Sequence, residues 1–412
     1  MTSMQNKKDK DYSFEAVPRT DRKSFWSMFF VMLGFTFFSS SMSVGASLGN
    51  GMGLITFGAS VLIGSLVLSV YTGFLGYIGS KTGLSFDQLG QRAFGKKGSI
   101  LSSIIVSITQ IGWFGVGVAM FSNCVAEVLG INRIIVMIAA GACMTLSAYF
   151  GIKGMEIISY ISVPLITVLG VISMVKATTA GGGLTAVFEQ NTGDITLFMG
   201  ISLVIGSFVS GGTTTPNFTR FAKSEKIAVI TTVIAFFIGN ILMYSFGAVG
   251  GAFSGKDDIF YVMMAQGLLV PALIVLGANI WTTNDNTLYS AGLGLSNITG
   301  ISKRPLVVVA GAIGTLASIW IYDHFISWLS ILNCFLPPIG AVIITDFLLR
   351  KKFYLEKDAA ISSIKWESII SVAAGSLVGI YVKVGISGIN SMMVCVEVYL
   401  IISLIKKRAH TD

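Results

Sequence analysis

Residues 24–80 read SFWSMFFVMLGFTFFSSSMSVGASLGNGMGLITFGASVLIGSLVLSVYTGFLGYIGS, 57 consecutive residues without Asp, Glu, Lys or Arg. A bilayer-crossing helix needs about 20 apolar residues, because the hydrocarbon core is about 30 Å thick and each residue rises 1.5 Å. The stretch therefore predicts two spans joined by a tight turn at Gly49-Asn50-Gly51. Similar runs follow at 98–126, 134–152, 157–175, 195–219, 227–255, 259–284, 305–322 and 324–345, each long enough for one crossing. The stretch 363–405, interrupted by Lys383 and Glu397, reads as two shorter spans meeting near Ser387-Gly388. The expectation is an all-α integral membrane protein of twelve transmembrane helices.

Composition agrees. Of 412 residues, 53% are hydrophobic and 12% charged, too few charges to coat a water-facing globule, so a soluble enzyme is excluded. With both termini placed inside, 24 of the 28 basic residues fall on the inner side, and Arg133, Lys176, Lys256 and Lys383 fall outside. That asymmetry is the positive-inside pattern of a cytoplasmic membrane. It accounts for the net charge of +8 as a topology signal, and a nucleic-acid surface is the poorer reading. Residues 1–23 are polar and read as a cytoplasmic tail, not a secretory signal, and 406–412 as a second tail. Cys124, Cys143, Cys334 and Cys395 have no metal-type spacing and imply no disulfide framework. Only two histidines, His324 and His410, are present. No cofactor and no obligate protein partner is expected; membrane lipid surrounds the chain.

Two mid-membrane patches are dense in small residues: Gly34 to Gly45 in the first span and Gly206 to Pro216 in the sixth. Close helix packing through Gly and Ser is one reading. The other is a pair of discontinuous helices, whose freed backbone groups hold a solute or ion. Their spacing, five spans apart, fits a 5+5 inverted repeat with broken helices 1 and 6. Residues 24–176 then form the first repeat, 195–349 the second, and 363–405 two appended helices.

The run Asn279-Ile280-Trp281-Thr282-Thr283-Asn284-Asp285 sits at the end of the eighth span on this reading. Asn279, Thr282 and Thr283 share a helical face, where amide and hydroxyl oxygens facing an unwound helix suit Na⁺. The ordinary alternative is that each Thr bonds its own i−4 carbonyl. Asp285 is either a proton relay or cation ligand, or a cap for freed amides near the inner helix end. In the third span Gln110 and Trp113 project from adjacent positions, and mid-membrane Trp113 offers a flat face to a planar ligand. Phe208 can supply the opposite face. Gln110, Ser207, Ser210, Asn279 and Asn284 are neutral donors and acceptors, which suit the edge of a heterocycle. No Lys or Arg lies near them, so a small, planar, neutral solute is favoured over an anion. An amino-acid permease of the same architecture, a channel and a proton-coupled permease are the rival readings.

The stretches FVMLGFTFFSSSMSVGASLG, YTGFLGYIGSKTGL, TQIGWFGVGVAMF, NIWTTNDNTLYSAGLGLSNITG and PPIGAVIITDF resemble the nucleobase:cation symporter-1 family from about residue 15 to 350. NIWTTNDN and TQIGWFGVG point to its cytosine-transporting branch. The resemblance implies a leucine-transporter-like fold and import of cytosine with Na⁺ by alternating access. It implies a Na⁺ site at the backbone oxygens of Gly34, Phe37 and Asn279 with the hydroxyls of Thr282 and Thr283. It also implies base stacking on Trp113 and Phe208, with polar contacts from Gln110, Ser207, Ser210 and Asn284. After about residue 350 the sequence is less distinctive.

Overall fold

The computed structural model describes residues 12–150, 152–356 and 359–409. These are helical, with no strand among them beyond one isolated bridge, Lys23 to Ala222. The helices are α1 (Phe25–Thr36), α2 (Ser39–Gly51), α3 (Leu54–Thr82), α4 (Phe86–Phe94), α5 (Ser99–Leu129), α6 (Arg133–Ala148) and α7 (Ile152–Ala180). Then come α8 (Leu184–Glu189), α9 (Leu197–Thr213), α10 (Pro216–Thr219), α11 (Glu225–Val233), α12 (Asn240–Ser254) and α13 (Ile259–Ala265). The last are α14 (Leu269–Thr299), α15 (Lys303–Ile321), α16 (Phe325–Leu349), α17 (Lys351–Leu355), α18 (Trp366–Tyr381) and α19 (Ser387–Ala409). A π-helical segment, Ile234–Gly239, joins α11 to α12.

By length and apolarity, seven of the described helices can cross a membrane, or eight when α1 and α2 count as one bent span. A count of twelve also takes the shorter α6 and α18, the polar-centred α14, and α15 and α16 as separate crossings.

The first span is interrupted. α1 ends at Thr36, Phe37 and Phe38 leave helical geometry (ψ 80° and 130°), and α2 departs at 49° to α1. The Phe38 N–H turns to the Thr36 carbonyl at 2.9 Å, and the Ser39 N–H bonds a side chain of α14. The carbonyls of Gly34 and Phe35 thereby lose their helical i+4 donors. Glycine allows α2 to lie directly on α12. A Cβ on Gly45 or Gly49 would overlap the Tyr244 or Ala248 carbonyl, and one on Gly247 would overlap that of Met42. Helix backbones approach this closely only where side chains are absent.

Three expectations from the sequence change here. The turn expected at Gly49-Asn50-Gly51 falls at Met52-Gly53, because α2 continues through Gly51. In the sixth span the helix runs through the glycines as far as Thr213, and the turn falls at the far end of the Gly206 to Pro216 patch, at Thr214-Thr215 before α10. Packing explains it: a Cβ on Gly206 would lie 2.6 Å from Asn333 Nδ2, and one on Gly212 2.8 Å from Thr72 Cγ2. The eighth span is also displaced. Residues 259–284 are not one helix: α13 stops at Ala265, Gly267 turns the chain with φ 73°, and α14 runs from Leu269 through Asp285 to Thr299. Asp285 is therefore mid-helix and caps no freed amides. The charge-free criterion failed because this carboxylate is 1% exposed and accepts a hydrogen bond from Ser147 of α6 at 2.6 Å.

Candidate functional site

The shift of α14 brings its polar run level with the break in the first span. Asn279 closes that break. Its Oδ1 accepts from the Ser39 backbone N–H and from the Ser39 hydroxyl, each at 2.9 Å, and its Nδ2 donates to the Phe37 carbonyl. One amide thus pairs the first free N–H of α2 and a carbonyl at the end of α1, groups that an uninterrupted helix would satisfy itself.

A narrow cavity lies beside this junction. It is lined by Phe35 and Phe38 at the break, Gln110 and Trp113 on α5, Ser207, Phe208, Ser210 and Gly211 on α9, and Thr283 and Thr287 on α14. None of the lining side chains is charged. Gln110 and Trp113 meet the cavity together because they are one helical turn apart. The Gln110 Nε2 donates to Ser210 Oγ at 3.5 Å, linking α5 to α9. Ser207 donates to the Val204 carbonyl at 2.9 Å and lies 2.5 Å from the Tyr244 hydroxyl of α12. Trp113 is 3% exposed, and its indole N–H has no partner among the described residues. Its ring is held edge-on by Phe38 and Phe325, with centroids 5.9 and 5.8 Å away. Phe208 is set edge-on by Phe35 and by Phe236 of the π-helical segment, at 5.6 and 5.4 Å. These contacts fix two aromatic side chains on the cavity, Trp113 from α5 and Phe208 from α9.

Five of the six residues expected to contact substrate line this cavity. Asn284 does not. Successive helical positions turn by about 100°, so with Thr283 on the cavity Asn284 faces the α5–α6 seam. There its Nδ2 donates to the Phe114 carbonyl at 3.3 Å and contacts Met144 Sδ at 3.1 Å, while its Oδ1 has no partner among the described residues. The cavity residues that sequence reasoning missed are Phe35, Phe38, Gly211 and Thr287. Thr287 was findable, since it repeats Thr283 one turn on. Tyr244, behind Ser207, carried no signal of its own.

The residues expected to hold Na⁺ lie along the same junction. Thr283 lines the cavity and donates to the Asn279 carbonyl at 3.3 Å. Thr282 donates to the Ala278 carbonyl at 3.0 Å and lies 3.4 Å from Ser162 Oγ of α7. Both threonines make the i−4 bond that is the ordinary alternative to ion binding. The two roles are compatible, because that bond uses the hydroxyl proton and leaves oxygen lone pairs for a cation. Gly34 packs against Ser159 of α7, whose side chain a Cβ would overlap. Thr283 borders both groups of residues, so a cation and a solute held here would be neighbours.

A family model described as permease for cytosine/purines, uracil, thiamine, allantoin matches residues 16–401. The curated cytosine permease of Escherichia coli (strain K12) is 44% identical over 405 residues, 98% of this chain and 96% of that protein. Among solved structures, Mhp1, a nucleobase-cation-symport-1 family transporter in a closed conformation with bromovinylhydantoin bound, superposes with a TM-score of 0.81. That match has 14% identity and covers 96% of this chain and 94% of Mhp1. A Na⁺-coupled sialic acid symporter in a substrate-bound outward-open state gives 0.73 at 15% identity, covering 96% and 92%. The shared helical architecture is thus that of these transporters. The chain is a membrane permease and not an enzyme, and it belongs to the family of permeases for cytosine/purines, uracil, thiamine and allantoin.

Proposed function

We propose that this permease imports cytosine together with Na⁺, by alternating access, across the bacterial cytoplasmic membrane. The observation that carries the reading is the uncharged cavity at the break between α1 and α2, lined by Trp113 and Phe208 and by amide and hydroxyl groups. A nucleobase presents a flat π-face and an edge of alternating donors and acceptors, and these groups complement both. The cytosine permease of E. coli, 44% identical, supports cytosine over other bases.

In this reading Trp113 and Phe208 stack on the base, and Gln110, Ser207 and Ser210 read its edge. Asn284 joins them by turning its unpaired Oδ1 from the α5–α6 seam. Na⁺ is held by the backbone oxygens of Gly34, Phe37 and Asn279 and by the hydroxyls of Thr282 and Thr283. The ion draws α14 to the break and so shapes the adjoining cavity. Each Na⁺ moving inward at 100 mV, inside negative, releases about 2.3 kcal/mol. At one ion per neutral base that sustains roughly 50-fold accumulation before any Na⁺ gradient is counted. The organisation that goes with it is twelve spans with both tails cytoplasmic, two repeats at 24–176 and 195–349 rocking about the midplane site, and helices 11 and 12 appended.

Uptake of labelled cytosine into proteoliposomes, with and without an imposed inward Na⁺ gradient, tests the proposal. Accumulation that follows the Na⁺ gradient and is competed by unlabelled cytosine is expected. Uptake indifferent to Na⁺ would sink the coupling, and competition by amino acids would sink the substrate.

A further inference from the structure

Below Thr282 and Thr283, toward the Lys303 end of α14, the same helical face continues with Asn286 and Ser290. At about 100° per residue, Asn286 falls within about 20° of Asn279, and it lies about 5 Å along the axis from the two threonines. That face looks onto the first span and α7, as the bonds from Asn279 to Phe37 and from Thr282 to Ser162 establish. Asn286 is 1% exposed, yet neither its Oδ1 nor its Nδ2 has a partner among the described residues. The Ser290 hydroxyl, one turn further, is also buried and unpaired. Buried amides with both ends unsatisfied are rare in folded proteins and call for a partner such as a water or an ion. Asp285, the acid nearest in sequence, points about 100° away and is engaged by Ser147.

We propose that Asn286, with Ser290, is a second, transient site for Na⁺, one helical turn inward of Thr282 and Thr283, through which the coupling ion leaves toward the cytoplasm. Its ligands are neutral oxygens without a fixed carboxylate, which suits an ion that must be received and passed on. An ion stepping from the threonines to Asn286 exchanges one set of oxygens for another and is never stripped bare in the low-dielectric interior. The proposal rests on the Na⁺ coupling proposed above.

The test compares wild-type protein with Asn286→Ala and Asn286→Asp in proteoliposomes, with three readouts: Na⁺-dependent cytosine binding, net Na⁺-driven uptake, and cytosine counterflow with saturating Na⁺ on both sides. Counterflow does not require net release of the ion. For Asn286→Ala, net uptake should fall about fivefold or more while binding and counterflow stay within about twofold of wild type. Asn286→Asp, nearly isosteric and so the safeguard if the alanine variant fails to fold, should make net uptake sensitive to luminal Na⁺ at lower concentration. Unchanged net uptake and luminal Na⁺ sensitivity would overturn the proposal, as would parallel loss of binding and counterflow, which marks a merely structural side chain. Wild-type uptake that ignores Na⁺ would instead remove the coupling itself, and the same experiment reports it separately.

Discussion

The side-chain oxygen of Asn279 accepts two hydrogen bonds from Ser39, one from its backbone N–H and one from its hydroxyl, each at 2.9 Å across the break in the first span. With the bond from Nδ2 to the Phe37 carbonyl, a single amide stands in for the missing helical turn. Asn279→Ala leaves buried groups on both sides unpaired, at about 1–3 kcal/mol each. Ser39→Ala removes only the hydroxyl bond. Thermal unfolding of the purified protein should therefore rank Asn279→Ala as clearly the less stable of the two. Equal stability would mean that the break is held by packing instead.

Thr283 adjoins both the cavity and the proposed ion ligands, whereas Thr282 faces Ser162 of α7. Thr283→Ala is expected to raise the Na⁺ concentration for half-maximal uptake by about tenfold, equivalent to about 1.4 kcal/mol, and Thr283→Ser to leave it near wild type. Thr282→Ala should raise it as well, without changing cytosine affinity at saturating Na⁺. Unchanged Na⁺ dependence in Thr283→Ala would remove that hydroxyl from the site.

Trp113 stands on the cavity with its indole N–H unpaired and its ring held edge-on by Phe38 and Phe325. Base stacking on an aromatic side chain is worth about 1–3 kcal/mol, so Trp113→Ala should weaken cytosine binding roughly 5- to 150-fold. Trp113→Phe keeps a π-face and should recover most of it. Isothermal titration or competition binding reads the difference, and equal affinity in Trp113→Ala would place the base elsewhere.

The seam between α2 and α12 is set by backbone touching backbone. Because the atom that a Cβ on Gly247 would overlap is the Met42 carbonyl oxygen, no rotamer change relieves the clash. Gly247→Ala should abolish monodisperse protein on size-exclusion chromatography. Gly58→Ala, where a Cβ meets nothing within 4 Å, should behave as wild type. A well-folded Gly247→Ala variant would show that the seam can slide.

Much of this fold was legible because lipid forbids charge: uncharged runs marked the helical rods, and Gly and Ser in the first span marked its break. Polar residues buried inside protein obey no such rule. Asp285 counted as a boundary although Ser147 satisfies it within the bundle, so a span expected to end at residue 284 continues as α14 to Thr299. Glycines are equally double-sided. Gly34 lies two residues before the end of α1 and Gly212 two before the turn that ends α9, yet both also serve close packing, as Gly206 does within α9. Gln110, Trp113, Ser207, Phe208 and Ser210, singled out in the sequence by residue type and helical spacing, line one cavity. Where Asn284 points was not legible, since 100° of helix rotation separates it from Thr283 and only the seating of α14 on α5 and α6 decides it.

Asp285 tests what drives transport. Its Oδ1 accepts from the Ser147 hydroxyl at 2.6 Å, and that hydroxyl accepts from the Trp281 indole N–H at 2.6 Å, so the carboxylate ties α14 to α6 away from the face of Asn279. An asparagine keeps the acceptor in place and removes the ability to carry a proton. Asp285→Asn is therefore expected to retain Na⁺-driven cytosine uptake to within about threefold, a change of less than about 1 kcal/mol. An intramembrane acid that moves protons would behave otherwise. Wild-type uptake would then follow a pH gradient in the absence of Na⁺, and Asp285→Asn would abolish it while Asp285→Glu preserved it. Measuring uptake of the three proteins under a Na⁺ gradient alone and a pH gradient alone separates a structural tie between helices from a proton-carrying site.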